Sequence, residues 1–251
     1  LIIEDMAHTY KSVVDNTEVG TLGDVAIYSY ALDKPFSCYE GGLLVINSTI
    51  IDIKDEYKNL EFESEKNAKI DIDILKFIYQ NTQVDNYNRS INQYDLIRFF
   101  FTKGFSDNSI KFLLKNNILI KIFRRLLIQK KENKILKLRK SKISIIKKQM
   151  IDFLYQKENV DNLEKLLLSN KLWIYKSSQN TKIQWNRYSF LDKDCKIKKF
   201  LLTKDIEVGN FNWSRPLHTR YAEKNNIKYL DNFKNSIYAS ENIINIPIWR
   251  K

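Results

Sequence analysis

Four side chains near the start of the chain stand in an order that could do amine chemistry. Asp5 closes the apolar opening Leu1-Ile2-Ile3, and His8 follows one helical turn later. Ser29 ends a second apolar run, and Lys34 stands beyond it in the loop LDKPFSCY. A lysine becomes a nucleophile only when it sheds its proton, which requires a desolvated site or a nearby cation. Once free, the same amine can carry a proton to and from carbon. A carboxylate within hydrogen-bond reach of a protonated nitrogen stabilises that charged form. Each residue alone has an ordinary role open to it: a helix cap for Asp5, a packed core position for His8, a loop surface for Lys34. Their order is the informative feature, because Glu40-Gly41-Gly42, beginning six residues after the lysine, leads into a third apolar run.

Holding such a set in place calls for short strands. LIIED, Val25 to Tyr30 and GLLVIN read as strands buried on both faces, within α/β material that covers residues 1–50. Pro35 forbids helix continuation in the loop and biases Lys34 towards an extended backbone. Gly41 and Gly42 suit a close backbone approach and the turn into the third strand. Beyond residue 50 the texture changes. Residues 70–102, 108–130 and 139–168 carry apolar side chains at three- and four-residue intervals and are expected to be helices. Towards the C-terminus KLWIYK and QWNRYSFL read as strands, CKIKKFLLTKD as a helix and EVGNFNW as a strand entering a site. The expected organisation is therefore 1–50, a helical stretch over 51–170, and an α+β part over 171–251.

A chain of 251 residues with 43% hydrophobic content can bury a substantial core. No apolar run reaches the roughly 18 residues of a membrane span. Cys38 and Cys195 lack metal-like spacing, so two free thiols in a reducing cytoplasm are expected, and no metal site. The net charge of +12 is concentrated: Lys103 to Lys148 holds 15 Lys or Arg against Asp107 and Glu132, and the remainder sums to −1. Such a segment could attract nucleic acid, an anionic membrane face or a diphosphate-bearing substrate. No aromatic interleaving or nucleic-acid motif accompanies it, so a solvated helical face is the preferred reading and nucleic acid is not an expected partner.

The stretch IIEDMAHTY…VGTLGDVAIYSYALDKPFSCYEGGLLVIN resembles the core signature of the DegT/DnrJ/StrS family of sugar aminotransferases. These are fold-type I enzymes dependent on pyridoxal phosphate (PLP). The family pattern is approximately I-E-D-x-A-[HQ], then G-x-x-G-D-x-x-x-[FY]-S-[FY]-x-x-x-K, then E-G-G, and each fixed element occurs here in order. The resemblance implies an α/β PLP-dependent transferase fold: part of the large-domain sheet, a helical segment and an α+β small domain. By the same resemblance Asp5 pairs with the pyridine nitrogen, His8 lies against the cofactor, Ser29 binds its phosphate and Lys34 is the Schiff-base lysine. The implied reaction transfers an amino group from an amino acid, Glu or Gln, to a nucleotide-linked keto-sugar. A homodimer and a product destined for surface polysaccharide or another glycan are also implied. A related branch carries His at the lysine position and dehydrates instead, so Lys34 favours amino transfer. DIEVGNFNWSRPLH is similar to a substrate-cleft segment, which makes Trp213 and His218 candidate substrate contacts.

Two departures from the pattern carry expectations of their own. The family's large domain begins well before its I-E-D strand, with phosphate donors and an aromatic that stacks on the ring, so the chain by itself is expected to bind PLP poorly. The stretch from Gly42 to Arg139 is longer than in typical members. Asn86 and Asn88 in DNYNRS are candidates for the residue that reaches a neighbouring subunit's phosphate, and neither is chosen. The alternative to an active enzyme is a catalytically idle remnant that serves as a binding or partner subunit.

Overall fold

A computed structural model describes residues 1–32, 34–81, 94–115, 135–153, 157–172, 180–203 and 233–247, with Ile174 and Ser178 between. It divides into two compact units, Leu1–Leu154 and Tyr155–Lys251.

In the first unit the expected strands form. Ile3–Asp5 (β1) and Val25–Ser29 (β4) pair in parallel, with Ile3 opposite Val25 and Asp5 opposite Ile27. Gly42–Ile46 (β5) pairs antiparallel on the other side of β4, with Ser29 opposite Gly42 and Ile27 opposite Leu44. Val13–Val14 (β2) and Thr17–Glu18 (β3) make a small hairpin, turned at Asp15 and Asn16, whose φ of 48° and 62° suit their residue types. Both glycines of the E-G-G element are required where they stand. Gly41 has φ +106° and a Cβ there would meet Leu138 Cδ2 at 2.7 Å; a Cβ on Gly42 would meet Tyr28 O at 2.5 Å.

Burial of the sheet on both faces is not observed. Alternation puts Ile3, Ile27 and Leu44 on one face, and they remain 54%, 45% and 45% exposed. The physical reason is where the helices pack. Lys54–Lys58 (α1) is short and buries nothing, whereas Glu65–Asn81 (α2), Tyr94–Thr102 (α3) and Asp107–Lys115 (α4) form their own core. Ile74, Leu75, Phe77, Ile78, Leu96, Ile97, Phe100 and Ile110 close on one another and on Leu32 and Tyr39 of the β4–β5 loop. The helices thus build on the loop that carries Lys34, not over the sheet face.

The buried stripe of α2 runs Ala68, Asp71, Ile74, Leu75, Ile78, and it places a carboxylate among apolar side chains. Asp71 is compensated by cations from two other helices. Lys142 of Lys140–Phe153 (α5) donates to Asp71 Oδ2 at 2.6 Å and to Glu63 Oε1 at 2.8 Å, and Arg98 of α3 donates to Asp71 Oδ1. Arg98 also lies over the Tyr39 ring, 5.3 Å from its centroid.

In the second unit Lys157–Ser169 (α6) precedes the two-residue strand Thr181–Lys182 (β6). Arg187–Leu191 (β7) pairs antiparallel with Ile243–Pro247 (β8), and Lys196–Thr203 (α7) and Lys234–Asn242 (α8) complete the described part. Leu167, Ile174, Tyr188, Phe190 and Ile244 form its core. Arg187–Leu191 of QWNRYSFL and Lys196–Thr203 of CKIKKFLLTKD adopt the strand and helix expected of them. From KLWIYK, Ile174 makes an isolated bridge to Phe190. EVGNFNW, like residues 116–134 of the basic segment, lies outside the described residues. Among the described residues no helix is long and apolar enough to cross a membrane, and no group of His, Cys, Asp and Glu could hold a metal.

Both cysteines are free, in contrasting settings: Cys38 is fully buried and Cys195 is partly exposed. Burial pushes the Cys38 thiol up to about 12, and its Sγ–H donates to Glu40 O at 2.9 Å. Burial likewise pushes the Tyr30 phenol up to about 12. Because both folded values lie above the unfolded ones, the stability they contribute is complete below about pH 8.5 and is lost as pH rises towards 12. Each pH unit in which only unfolded Cys38 is ionised costs about 1.4 kcal/mol. A chromogenic disulfide reagent at pH 8 is expected to titrate Cys195 promptly and Cys38 only on unfolding, and the urea midpoint is expected to fall steadily above pH 9. Prompt titration of both thiols would contradict this.

Candidate active site

The strand ends of β1 and β4 bring the N-terminal candidates to one edge of the sheet. Asp5 closes β1, and Ser29 closes β4 two residues beyond Asp5's partner Ile27, so both side chains leave the same sheet face. Ends of parallel strands are where open α/β sheets present their binding crevices. Asp5 Oδ1 accepts the Ala7 N–H at 3.0 Å, which folds the chain back directly after the strand. The helix contemplated at His8 is a single turn, with Thr9 N–H donating to Met6 O at 3.3 Å. Ser29 Oγ accepts the Ala31 N–H at 3.3 Å and keeps its own proton to donate.

Lys34 and His8 are 26 residues apart in sequence and meet in space. Lys34 Nζ lies 2.8 Å from His8 Nε2. An ammonium has donors only, so with Lys34 charged the Nε2 of His8 is the acceptor and carries no proton. The Lys34 backbone is held by its N–H donating to Ala31 O at 3.1 Å. A second tie joins the two segments: Phe36, two residues past Lys34, meets Tyr10, two past His8, edge to face at 4.8 Å between ring centroids.

Glu4, adjacent to Asp5 but on the opposite sheet face, is a positioning residue that sequence reasoning passed over. It accepts the N–H groups of Gly20 at 2.7 Å and Gly23 at 2.6 Å, and that of Leu22 at 2.8 Å. Hydrogen bonds from Gly20 and then Gly23 hold its carboxyl below the usual carboxylate range. Asn47 Nδ2 donates to the carbonyls of the same two glycines, at 2.9 and 3.0 Å. The turn that delivers β4 is thus pinned from both sides. The signal was present: a carboxylate beside Asp5 on a strand must face the other way, towards the donors of a glycine-bearing turn.

Trp213, His218, Asn86 and Asn88 lie outside the described residues. The cleft of about 650 Å³ in the second unit is apolar, lined by Leu163, Leu167, Phe190, Ile197 and Ile246 among others, and none of the described candidates reaches it. The described candidates gather at the sheet edge, not in that cleft.

Residues 1–80 match the sequence profile of the DegT/DnrJ/EryC1/StrS aminotransferase family. This bears out the resemblance read from the first 48 residues. GDP-perosamine synthase of Vibrio cholerae is 42% identical over 50 residues, which is 20% of this chain and 14% of that protein. Among solved structures, a DegT DnrJ EryC1 StrS aminotransferase from Brucella abortus is similar with TM-score 0.53 at 16% identity, over 98% of this chain and 52% of that one. The PMP form of Spr1654 from Streptococcus pneumoniae gives 0.56 at 15% identity, over 99% and 52%. Those likenesses show the fold, the α/β transferase architecture expected. The chain spans about half the length of the structures it matches.

Proposed function

We propose, from the family match over residues 1–80 and the geometry above, that this chain carries the lysine-bearing part of a PLP-dependent sugar aminotransferase. The observation that carries the reading is the contact of Lys34 with His8 at the sheet edge that also presents Asp5 and Ser29. The residues present fit the cofactor by donor chemistry: an anion, a hydroxyl that keeps its proton, and an amine poised against an acceptor nitrogen. Asp5 would hold the protonated pyridine nitrogen, Ser29 would donate to the phosphate, and Lys34 would bind the cofactor covalently. When bound, PLP supplies an electron sink for the substrate's α-carbon. The protein's part is proton management. Lys34 Nζ would move a proton at carbon, and His8 Nε2 would hold that amine in place while it is free.

The substrate class in this reading is a nucleotide-linked keto-sugar, supported by the relative named for a GDP-linked sugar, with Glu or Gln as donor. A homodimer, a cytoplasmic location and a product bound for polysaccharide or glycan belong to the same proposal and rest on the family. Trp213 and His218 remain its proposed substrate contacts. The exposed Ile3, Ile27 and Leu44 favour a second reading, a partner subunit without turnover of its own.

Reduction with borohydride in the presence of PLP, followed by peptide mapping, separates the two. The enzyme reading expects the pyridoxyl label that the chain takes, however little, to fall selectively on Lys34. Label scattered over exposed lysines would overturn it and favour the partner subunit.

A further inference from the structure

The loop that presents Lys34 is held at one point by a side chain from a distant helix. Ser37, three residues after Lys34, is 1% exposed. Its N–H donates to Gln149 Oε1 at 2.6 Å, and Gln149 Nε2 donates back to Ser37 O at 2.8 Å, across 112 residues of sequence. One amide side chain thereby satisfies both backbone groups of a buried loop residue, as a neighbouring strand would. Gln149 is itself fixed. It lies seven residues after Lys142 on α5, two helical turns along the same face, with the buried Ile146 between. Lys142 is locked by Asp71 and Glu63, so α5 cannot slide or rotate without breaking buried ion pairs. On the other side of Ser37, Phe36 packs on Tyr10 and carries the restraint to the His8 segment.

We propose that Gln149 is a positioning residue for Lys34: its paired hydrogen bonds to Ser37 set the height of the loop and keep Lys34 Nζ against His8 Nε2. The proposal deepens the aminotransferase reading and rests on it for its catalytic meaning. Its physical content is a restraint on one amine. Gln149→Met keeps the length and loses both bonds. Gln149→Glu keeps the acceptor for Ser37 N–H, but as a carboxylate it sets a negative charge against Ser37 O. When protonated it offers one donor and one acceptor, as Gln does.

The test uses the 251-residue chain and two readouts besides turnover. Hydrogen exchange followed by mass spectrometry reports the amides of residues 36–39, and competitive labelling with a trace amine reagent reports Lys34 against the exposed Lys58. Gln149→Met is expected to speed exchange at 36–39 by about tenfold or more, while amides in α2 stay within about twofold of the parent. The rate of Lys34 labelling at fixed pH is expected to change while that of Lys58 does not. Gln149→Glu is expected to show a smaller defect of the same kind at pH 8, from the lost bond and the repulsion at Ser37 O, and to recover parental protection at 36–39 near pH 5. Unchanged exchange and labelling in both variants would overturn the proposal. So would a uniform rise across α2 and α3, or a Gln149→Glu defect that persists at low pH, since either describes a merely structural residue. Should the parent's pyridoxyl label be scattered over exposed lysines while these shifts are seen, the enzyme reading fails and the restraint stands.

Discussion

Lys34→Ala is expected to lower amino-group transfer by about 10²–10⁴-fold, the usual contribution of a positioned proton-transfer group. The loss is expected in single turnover, measured as conversion of a keto-sugar nucleotide with an isotopically labelled amino donor. The substitution removes the amine 2.8 Å from His8 without touching the loop's anchors, because Leu32 holds the backbone before it and Phe36, Ser37 and Tyr39 hold it after. Lys34→Arg decides what the amine does. Arginine keeps the positive charge but does not give up its proton, so a lysine that serves only as a cation would be replaced by it. A lysine that must shed and regain a proton would not. Both variants are therefore expected to fail alike, and Lys34→Arg within tenfold of the parent would refute a proton-transfer role.

Lys142→Met is expected to cost about 3–5 kcal/mol of unfolding free energy, read from urea midpoints of the first unit. The size follows from burial. Asp71 and Lys142 are each 1% exposed, and removing one partner leaves a charge that water cannot reach. Burial raises the Asp71 carboxyl to about 6 against the pull of Lys142 and Arg98. Asp71 and Glu63 hold Lys142 charged despite the opposing cost of its burial. The sign of the pH dependence follows. A carboxyl whose folded value exceeds its unfolded one favours the fold fully below about pH 4, and less as pH rises through about 6. With Lys142 gone that carboxyl rises further, so the deficit is expected to narrow on going from pH 8 to pH 5. Adding Asp71→Asn to Lys142→Met is expected to recover part of the loss at pH 8, since it removes the stranded charge. A deficit below 1 kcal/mol, or one that widens in acid, would show that the network is hydrated and weak.

Local order in the sequence was enough for the candidate site's skeleton. The spacing from Asp5 through Ser29 and Lys34 to Gly41-Gly42 named the strands β1, β4 and β5, and the two glycines fall where a Cβ would collide. Such features depend on neighbours a few residues apart, through strand alternation and backbone sterics, and the sequence carries them directly. Helices α2 to α7 were legible for the same reason, since a three- to four-residue apolar rhythm needs no partner to be seen, whereas the short α1 and α8 were not expected from such a rhythm. Everything that depends on a partner far along the chain was settled only by tertiary structure. Asp71 sits in an otherwise apolar stripe, and its cations come from Arg98 and Lys142 on two other helices. Gln149 reads as one polar position on a helix until it is found closing on Ser37. Ile3, Ile27 and Leu44 read as interior by composition, yet stand half exposed because the helices assemble on Leu32 and Tyr39. Hydrophobicity records that a side chain gains by burial, whereas the fold decides which surface arrives to bury it.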